Sequence, residues 1–302
     1  MGSPPNEMVV VHQREPFLRG FSTFLRDLWA SRLLLFSFVR KELLVRYRQS
    51  ALGVLWAMAK PLTQLLIYGL VLGVFLGMGD RIPAFGFYIF CGIITISIFS
   101  ESAVNGATSI QRGAPLVKKV AFRRELLPMA AVGGSLVNSF FQFVVLCLAY
   151  LVTGEGPKWG EIAFVVPALL IVTLFALGAA FLLGALNVYA RDVQFLTDVG
   201  LMVLFWITPL LYPWTLVRDA VVDGGYPHWL FELYMLNPLT NAVIALRQAL
   251  WPGASSARGM ELQYFDSPLA LRLWLMVLAG AVFVWFAQRV FARLQVGFAT
   301  EL

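Results

Sequence analysis

The sequence predicts an all-α integral membrane protein with six transmembrane helices. First, 59% of its 302 residues are hydrophobic and only 13% are charged, whereas a soluble domain carries about 25% charged residues. Second, several apolar runs reach the roughly 20 residues that a helix needs to cross a bilayer. Third, the basic residues cluster between alternate runs, as the positive-inside rule requires. This rule accounts for the net charge of +6, so no nucleic-acid partner is expected.

The N-terminal part precedes the first apolar run. Residues 1–20 contain three prolines and no apolar core, which predicts a disordered cytoplasmic tail without a cleavable signal peptide. Residues 21–48 lack proline and glycine and place apolar and basic side chains on different sides of a helix. We interpret them as an amphipathic helix at the membrane interface. The alternative is a short cytosolic helix packed on protein.

The transmembrane region is predicted over residues 51–291. Two apolar runs between the fifth and sixth spans, Leu230–Leu236 and Leu239–Trp251, are too short to cross and are separated by Asn237-Pro238. They predict two re-entrant outer helices in the region 228–252. Residues 292–302 are expected to be a cytoplasmic tail. The six predicted spans are residues 51–76, 85–106, 128–152, 162–189, 195–212 and 269–291.

Groups that would support catalysis are missing from the sequence. No lysine is followed by serine or threonine, so no P-loop is present, and the two histidines and two cysteines form no metal-binding spacing. Glu101 falls near a predicted span end, so no carboxylate is expected at the centre of a span. The chain is therefore predicted not to be an enzyme and to hold no cofactor; if it moves a substrate across the membrane, another protein must supply the energy.

The loop 111–127 is the most basic inner segment and mixes apolar with charged side chains. That composition suits a short helix docking into a groove of a partner protein, or a loop that only obeys the charge rule. Aromatic residues make up 14% of the chain. Those in the spans either line a path for sugars, or contact lipid, the core or the interface.

Short motifs follow one another along the chain, and Asn237-Pro238 is one of them. A basic-aromatic signature leads into the first span at Tyr47, Arg48, Ser50, Leu52, Gly53 and Trp56. The inner loop carries a second motif at Leu116, Val117, Lys119, Val120, Phe122, Glu125, Leu127 and Pro128. Later motifs lie at Asn187, Arg191, Asp192 and Val193, and at Arg293, Phe298 and Ala299. In this order the motifs resemble those of the permease subunit of polysaccharide ABC exporters of the ABC-2 type, although Arg123 stands where the family often has proline.

This resemblance implies a homodimer in a bacterial inner membrane, with cytoplasmic termini and two copies of an ABC ATPase that hold ATP and magnesium. The cargo would be a polysaccharide of the O-antigen, teichoic acid or galactan type, linked to polyprenyl pyrophosphate and moved from the inner to the outer leaflet. Two alternatives are an ABC-2 exporter of a small lipid or drug, and a non-transporting membrane scaffold for glycan assembly.

The resemblance also implies roles for particular residues. ATPase coupling is expected at Lys118, Lys119, Phe122, Arg124, Glu125, Arg191 and Asp192. A group of residues before the first span is expected at the lipid pyrophosphate and interface: Arg40, Lys41, Arg46, Tyr47 and Arg48. Its four cations either bind the pyrophosphate or act only as topology signals. Candidates for the glycan path are Trp56, Tyr68, Phe87, Tyr88 and Phe99, and the outer gate is expected at Asn237 and Pro238.

Overall fold

A computed structural model describes residue 26 and residues 29–47, 56–120, 122–255 and 269–302. Within these ranges the chain forms helices joined by turns and contains no β-strand, which confirms the all-α class. The predicted tail 1–20, Arg48 and the first residues of the first predicted span lie outside the described residues. Eleven helices are labelled here: α1 Arg32–Tyr47, α2 Trp56–Tyr68, α3 Phe85–Arg112, α4 Ala114–Lys119, α5 Leu126–Thr153, α6 Val165–Tyr189, α7 Val193–Ile207, α8 Thr215–Asp223, α9 Trp229–Met235, α10 Pro238–Leu250 and α11 Leu269–Leu294.

Shorter helical pieces extend or connect these helices. A π-helix, Gly69–Phe75, continues α2, and a 3-10 helix, Trp159–Phe164, leads into α6. Single helical turns occur at Met78–Arg81 and Phe298–Glu301, and 3-10 turns at Pro252–Ser255 and Gln295–Gly297.

Five helical stretches of the described chain are long and apolar enough to cross a membrane. They correspond to predicted spans one to four and six. They are Trp56–Phe75, Phe85–Lys119, Leu126–Thr153, Trp159–Tyr189 and Leu269–Gly297. The remaining predicted span, 195–212, corresponds to α7, whose 15 residues extend only about 22 Å at 1.5 Å per residue. A sixth crossing therefore stays a prediction.

The core of the subunit forms around α3 and α6, which pack along each other and contact α5, α10 and α11. Small residues permit this close approach: a Cβ added to Gly106 would lie 2.5 Å from the Cβ of Ala180, and one added to Gly184 would lie 2.8 Å from the carbonyl oxygen of Gly106. Glycine and alanine at such positions let two membrane helices approach backbone to backbone.

Two features of the fold differ from the sequence-based expectation. Helix α3 continues to Arg112, beyond the predicted span end at residue 106, so Glu101 lies within the helix. Its carboxylate does not interrupt the helix and accepts hydrogen bonds from Asn138 of α5. An additional helix, α8, also precedes the two predicted outer helices.

The helix ends meet on two opposite sides of the molecule. On one side hydrogen bonds join the ends of α3, α6 and α11, and α1 packs on α5 and pairs with the end of α3. On the other side α10 is buried from Leu239 to Leu250 against the start of α3, the end of α5 and the start of α6. The loop 111–127 and the short helices α9 and α10 are thus separated as the topology prediction requires.

Candidate coupling face

Helix α4 is the centre of what we call the coupling face, which comprises α4 with the following loop to Glu125 and the turn Arg191–Asp192. Pro115 stands in the first turn of α4, where its missing N–H is not needed, and Lys118 and Lys119 end the helix with exposed ammonium groups. Cations in the last turn of a helix also interact favourably with the helix dipole. The sequence therefore produces a short, basic, exposed helix at this place.

Helix α1 braces one side of this face. Arg112 at the end of α3 forms an ion pair with Glu42 of α1, with 3.0 Å between Nη1 and Oε1. The ring of Phe122 lies 5.6 Å from that of Phe38, also on α1. Val39 of α1 packs against Gly133 of α5, and a Cβ added to Gly133 would lie 2.7 Å from the Val39 side chain. The interface helix is therefore seated on protein along one side, while its apolar residues Trp29, Leu33, Phe36 and Leu44 are exposed.

Asn187 locks the end of α6 to the end of α3. Its side-chain amide donates to the carbonyl of Ala107 at 2.9 Å, and its own carbonyl accepts from Gln111 Nε2 at 2.7 Å. Asn187 is fully buried, whereas Arg191 and Asp192 of the same motif are exposed at the turn. The first residue of the motif thus fixes the position from which the other two project.

The C-terminal segment closes the third side. The guanidinium of Arg124 donates to the carbonyl of Gln295 and lies 6.0 Å from the ring centre of Phe298, which is itself fully buried. The hydroxyl of Tyr189 donates to the carbonyl of Leu294 at 2.7 Å. These bonds connect the coupling face to the ends of α6 and α11.

The predicted coupling residues differ in how accessible they are. Lys118, Lys119, Arg191 and Asp192 are exposed, and Phe122 and Arg124 are half-buried. Glu125 is only 7% exposed at the start of α5, so it does not project from the face. The predicted lipid-binding residues are divided as well: Arg40 and Lys41 are exposed on α1, whereas Arg48 and the side chains of Arg46 and Tyr47 lie outside the described residues.

The other side of the molecule is organised by Asn237-Pro238. The Asn237 side-chain oxygen accepts from the Leu239 N–H at 3.0 Å and caps α10, and Pro238 occupies its first turn. The Asn237 amide donates to Thr208 Oγ1 at 3.0 Å, which joins α10 to the end of α7. The break between the two predicted short helices is therefore a helix start. A gating role for it stays a prediction.

Arg247 is a residue whose burial the sequence analysis missed. It lies in α10 and is only 1% exposed. Its guanidinium lies 3.4 Å from the ring centre of Tyr88 and donates to the Tyr88 hydroxyl at 2.7 Å and to the Leu210 carbonyl at 2.8 Å. A count of charges cannot reveal this, because it does not use side-chain burial.

Comparison with known proteins places this architecture in a family. The family model of the ABC-2 type transporter matches residues 34–251, which is more than half of the chain. The chain belongs to the ABC-2 type transporter family. A Myxococcus xanthus protein named O-antigen export system permease protein RfbA is 35% identical over 194 residues, which are 64% of this chain and 74% of that protein. Two Klebsiella pneumoniae proteins of the same name are 27% and 26% identical over 237 and 236 residues, which are 77% and 76% of this chain and 85% of each protein.

The five aromatic residues predicted to line a glycan path lie in different surroundings in this ABC-2 type chain. Trp56 is exposed at the start of α2, and Tyr68 and Phe99 are partly buried. Phe87 stacks on Tyr150 at 4.8 Å, and Tyr88 packs against Arg247. Phe87 and Tyr88 thus belong to the packed core of the subunit as described, and the contact of these five aromatics with sugar stays a prediction.

Proposed function

We propose that this ABC-2 type chain is the membrane-spanning subunit of an ATP-driven exporter. It would move a polysaccharide linked to polyprenyl pyrophosphate from the inner to the outer leaflet of a bacterial inner membrane. The observation that carries this proposal is the similarity to proteins named O-antigen export system permease, over most of their length. In this proposal both termini are cytoplasmic and the chain forms a homodimer.

The coupling face supports the part of the proposal that concerns a motor. This face exposes Lys118, Lys119, Arg191 and Asp192, and hydrogen bonds connect it to α3, α6 and α11. An ATPase subunit that binds the coupling face would transmit its movement directly to the helices of the core. We infer two ATPase copies, one for each permease subunit, with ATP and magnesium held by the ATPase.

The basic residues of α1 support the part that concerns the lipid carrier. Arg40 and Lys41 are exposed on α1, the helix that precedes the first apolar span along the chain. These two cations would pair with the pyrophosphate of the lipid carrier, because charge-assisted hydrogen bonds between Arg or Lys and phosphate are stronger than hydrogen bonds between neutral groups. Export of a small lipid or drug, and a scaffold role in glycan assembly, remain the competing functions.

Depletion of the protein in its source organism separates these functions. We expect lipid-linked glycan to accumulate on the inner leaflet, and we expect an epitope-tagged permease to copurify with an ABC ATPase. A scaffold would halt glycan synthesis, so no lipid-linked polymer would accumulate. A drug or lipid exporter would leave surface glycan unchanged. Either result would overturn the proposal.

A further inference from the structure

A cleft of about 470 Å³ opens between α2, α3 and α5. Most of the residues that line it are polar, although the three helices otherwise carry apolar spans. The lining residues used below are Trp56, Lys60, Glu101, Asn105, Asn138 and Gln142. Ligand sites for small molecules typically have volumes of about 300–1,000 Å³. The cleft is thus large enough for one or two sugar units.

The cleft lies close to α1. The Arg112 guanidinium that pairs with Glu42 of α1 also donates to the Asn105 carbonyl at 2.8 Å, so Asn105 lies at the level of α1. Glu101 is one turn earlier on α3, about 6 Å further from α1 at 1.5 Å per residue. A carboxylate on a spanning helix is unfavourable unless it faces a cavity or a partner, and Glu101 faces this cleft.

Two acceptors in the cleft are arranged differently. The Asn138 amide donates to both carboxylate oxygens of Glu101, at 3.0 and 2.8 Å, and so fixes its orientation. One turn along α5, Gln142 is only 4% exposed, and its Oε1 accepts no hydrogen bond within the part of the chain that the structure describes. A buried acceptor without a donor destabilises a protein, so a donor from a ligand is the natural partner for it.

We propose that this cleft is a saccharide subsite of the export path. A sugar hydroxyl donates to Gln142 Oε1, a second hydroxyl donates to the Glu101 carboxylate, and the apolar face of the ring packs on Trp56. The cleft holds one ammonium group, Lys60, and one carboxylate, Glu101, so its charges balance. That balance favours a neutral polyol over the carrier pyrophosphate. The inference rests on the proposed function, because the ligand is the glycan of that transport.

Substitution of Gln142 tests the subsite against a matched control. Gln142→Leu keeps the volume and removes the unpaired acceptor, so the folded protein should be as stable as wild type or more stable. Glycan export should nevertheless fall about five- to tenfold, the loss expected for one buried hydrogen bond. Gln288 of α11 is also buried (3% exposed), and its Oε1 has no donor among the described residues. It does not line the cleft, so Gln288→Leu should export normally. Normal export by a stable Gln142→Leu protein would overturn the proposal.

Photocrosslinking in cells gives a second test, which does not depend on any loss of export activity. A photoreactive amino acid at Gln64, which lines the cleft on α2, should capture glycan, detected by periodate oxidation and biotin hydrazide. The same group at the exposed Leu66 should capture lipid without sugar. Equal sugar labelling at both positions, or sugar-free lipid at Gln64, would contradict the subsite in cells that export glycan. If wild-type cells export no glycan at all, the proposed function itself fails.

Discussion

The guanidinium of Arg247 is enclosed in the core by groups from two other segments. It bonds the Tyr88 hydroxyl and carbonyl on α3 and the Leu210 carbonyl after α7, and it lies over the Tyr88 ring. A charge removed from water is tolerated only when its donors find partners and the geometry is good. Arg247 therefore acts as a tie between α10, α3 and the end of α7.

Removing one partner of Arg247 should measurably weaken the fold. Tyr88→Phe deletes only the hydroxyl, and we expect the free energy of unfolding to fall by about 1.5–3 kcal/mol, the range for a hydrogen bond to a charged group. Thermal unfolding in detergent, followed by size-exclusion chromatography, measures this loss. Tyr226→Phe, at an exposed tyrosine, is the control. Equal unfolding temperatures for the two variants would show that the hydroxyl contributes nothing.

The contact between α3 and α6 decides the position of the coupling face at the level of whole helices. Gly106 meets Ala180 within the spans, and one turn further along the bonds of Asn187 join the same two helices at their ends. Close packing and buried hydrogen bonds thus act along one seam. The turn Arg191–Asp192 follows α6 directly, so its position depends on this seam.

Gly106→Ala should separate α3 from α6. The new methyl group would lie 2.5 Å from the Ala180 Cβ, far inside the usual contact distance of about 3.5–4 Å. We expect a loss of about 1–3 kcal/mol in stability, as for other overpacked sites. Gly200→Ala on α7, where nothing lies within 4 Å of the added Cβ, should be neutral or slightly stabilising in the same thermal assay. A stable Gly106→Ala protein would contradict the seam.

Lys119 on α4 tests the coupling face. Lys119→Glu reverses one exposed charge and should weaken ATPase binding several-fold, of the order of 1 kcal/mol, without affecting membrane insertion. Copurification of the ATPase across a salt series measures the effect. Arg81→Glu reverses an exposed charge on the opposite side and should bind normally. If both variants bind alike, α4 does not contact the ATPase. Glu125 is a poorer probe, because its side chain is only 7% exposed and a substitution would also change the packing at the start of α5.

Across the whole molecule, hydropathy predicts the class and most spans because lipid contact leaves long apolar runs. The exposed apolar faces of α2 and α7 are typical of this: among the described residues of α7 only Thr197 is buried. Hydropathy fails to predict the end of a helix where polar residues face other helices, as Glu101 does. The apolar stretch ends at such residues, but the helix continues. The buried site of Arg247 and the bonds of Asn187 depend on partners far along the chain, which no local pattern encodes.

ATP-dependent translocation in proteoliposomes tests the account most directly. The permease and its ATPase would be reconstituted with the lipid-linked glycan, and the glycan that reaches the leaflet opposite the ATPase would be measured with an impermeant glycosidase. We predict that the glycan becomes accessible only when ATP is hydrolysed, and that an ATPase unable to hydrolyse ATP abolishes this. An intact complex that hydrolyses ATP but leaves the glycan on its original leaflet would contradict the account.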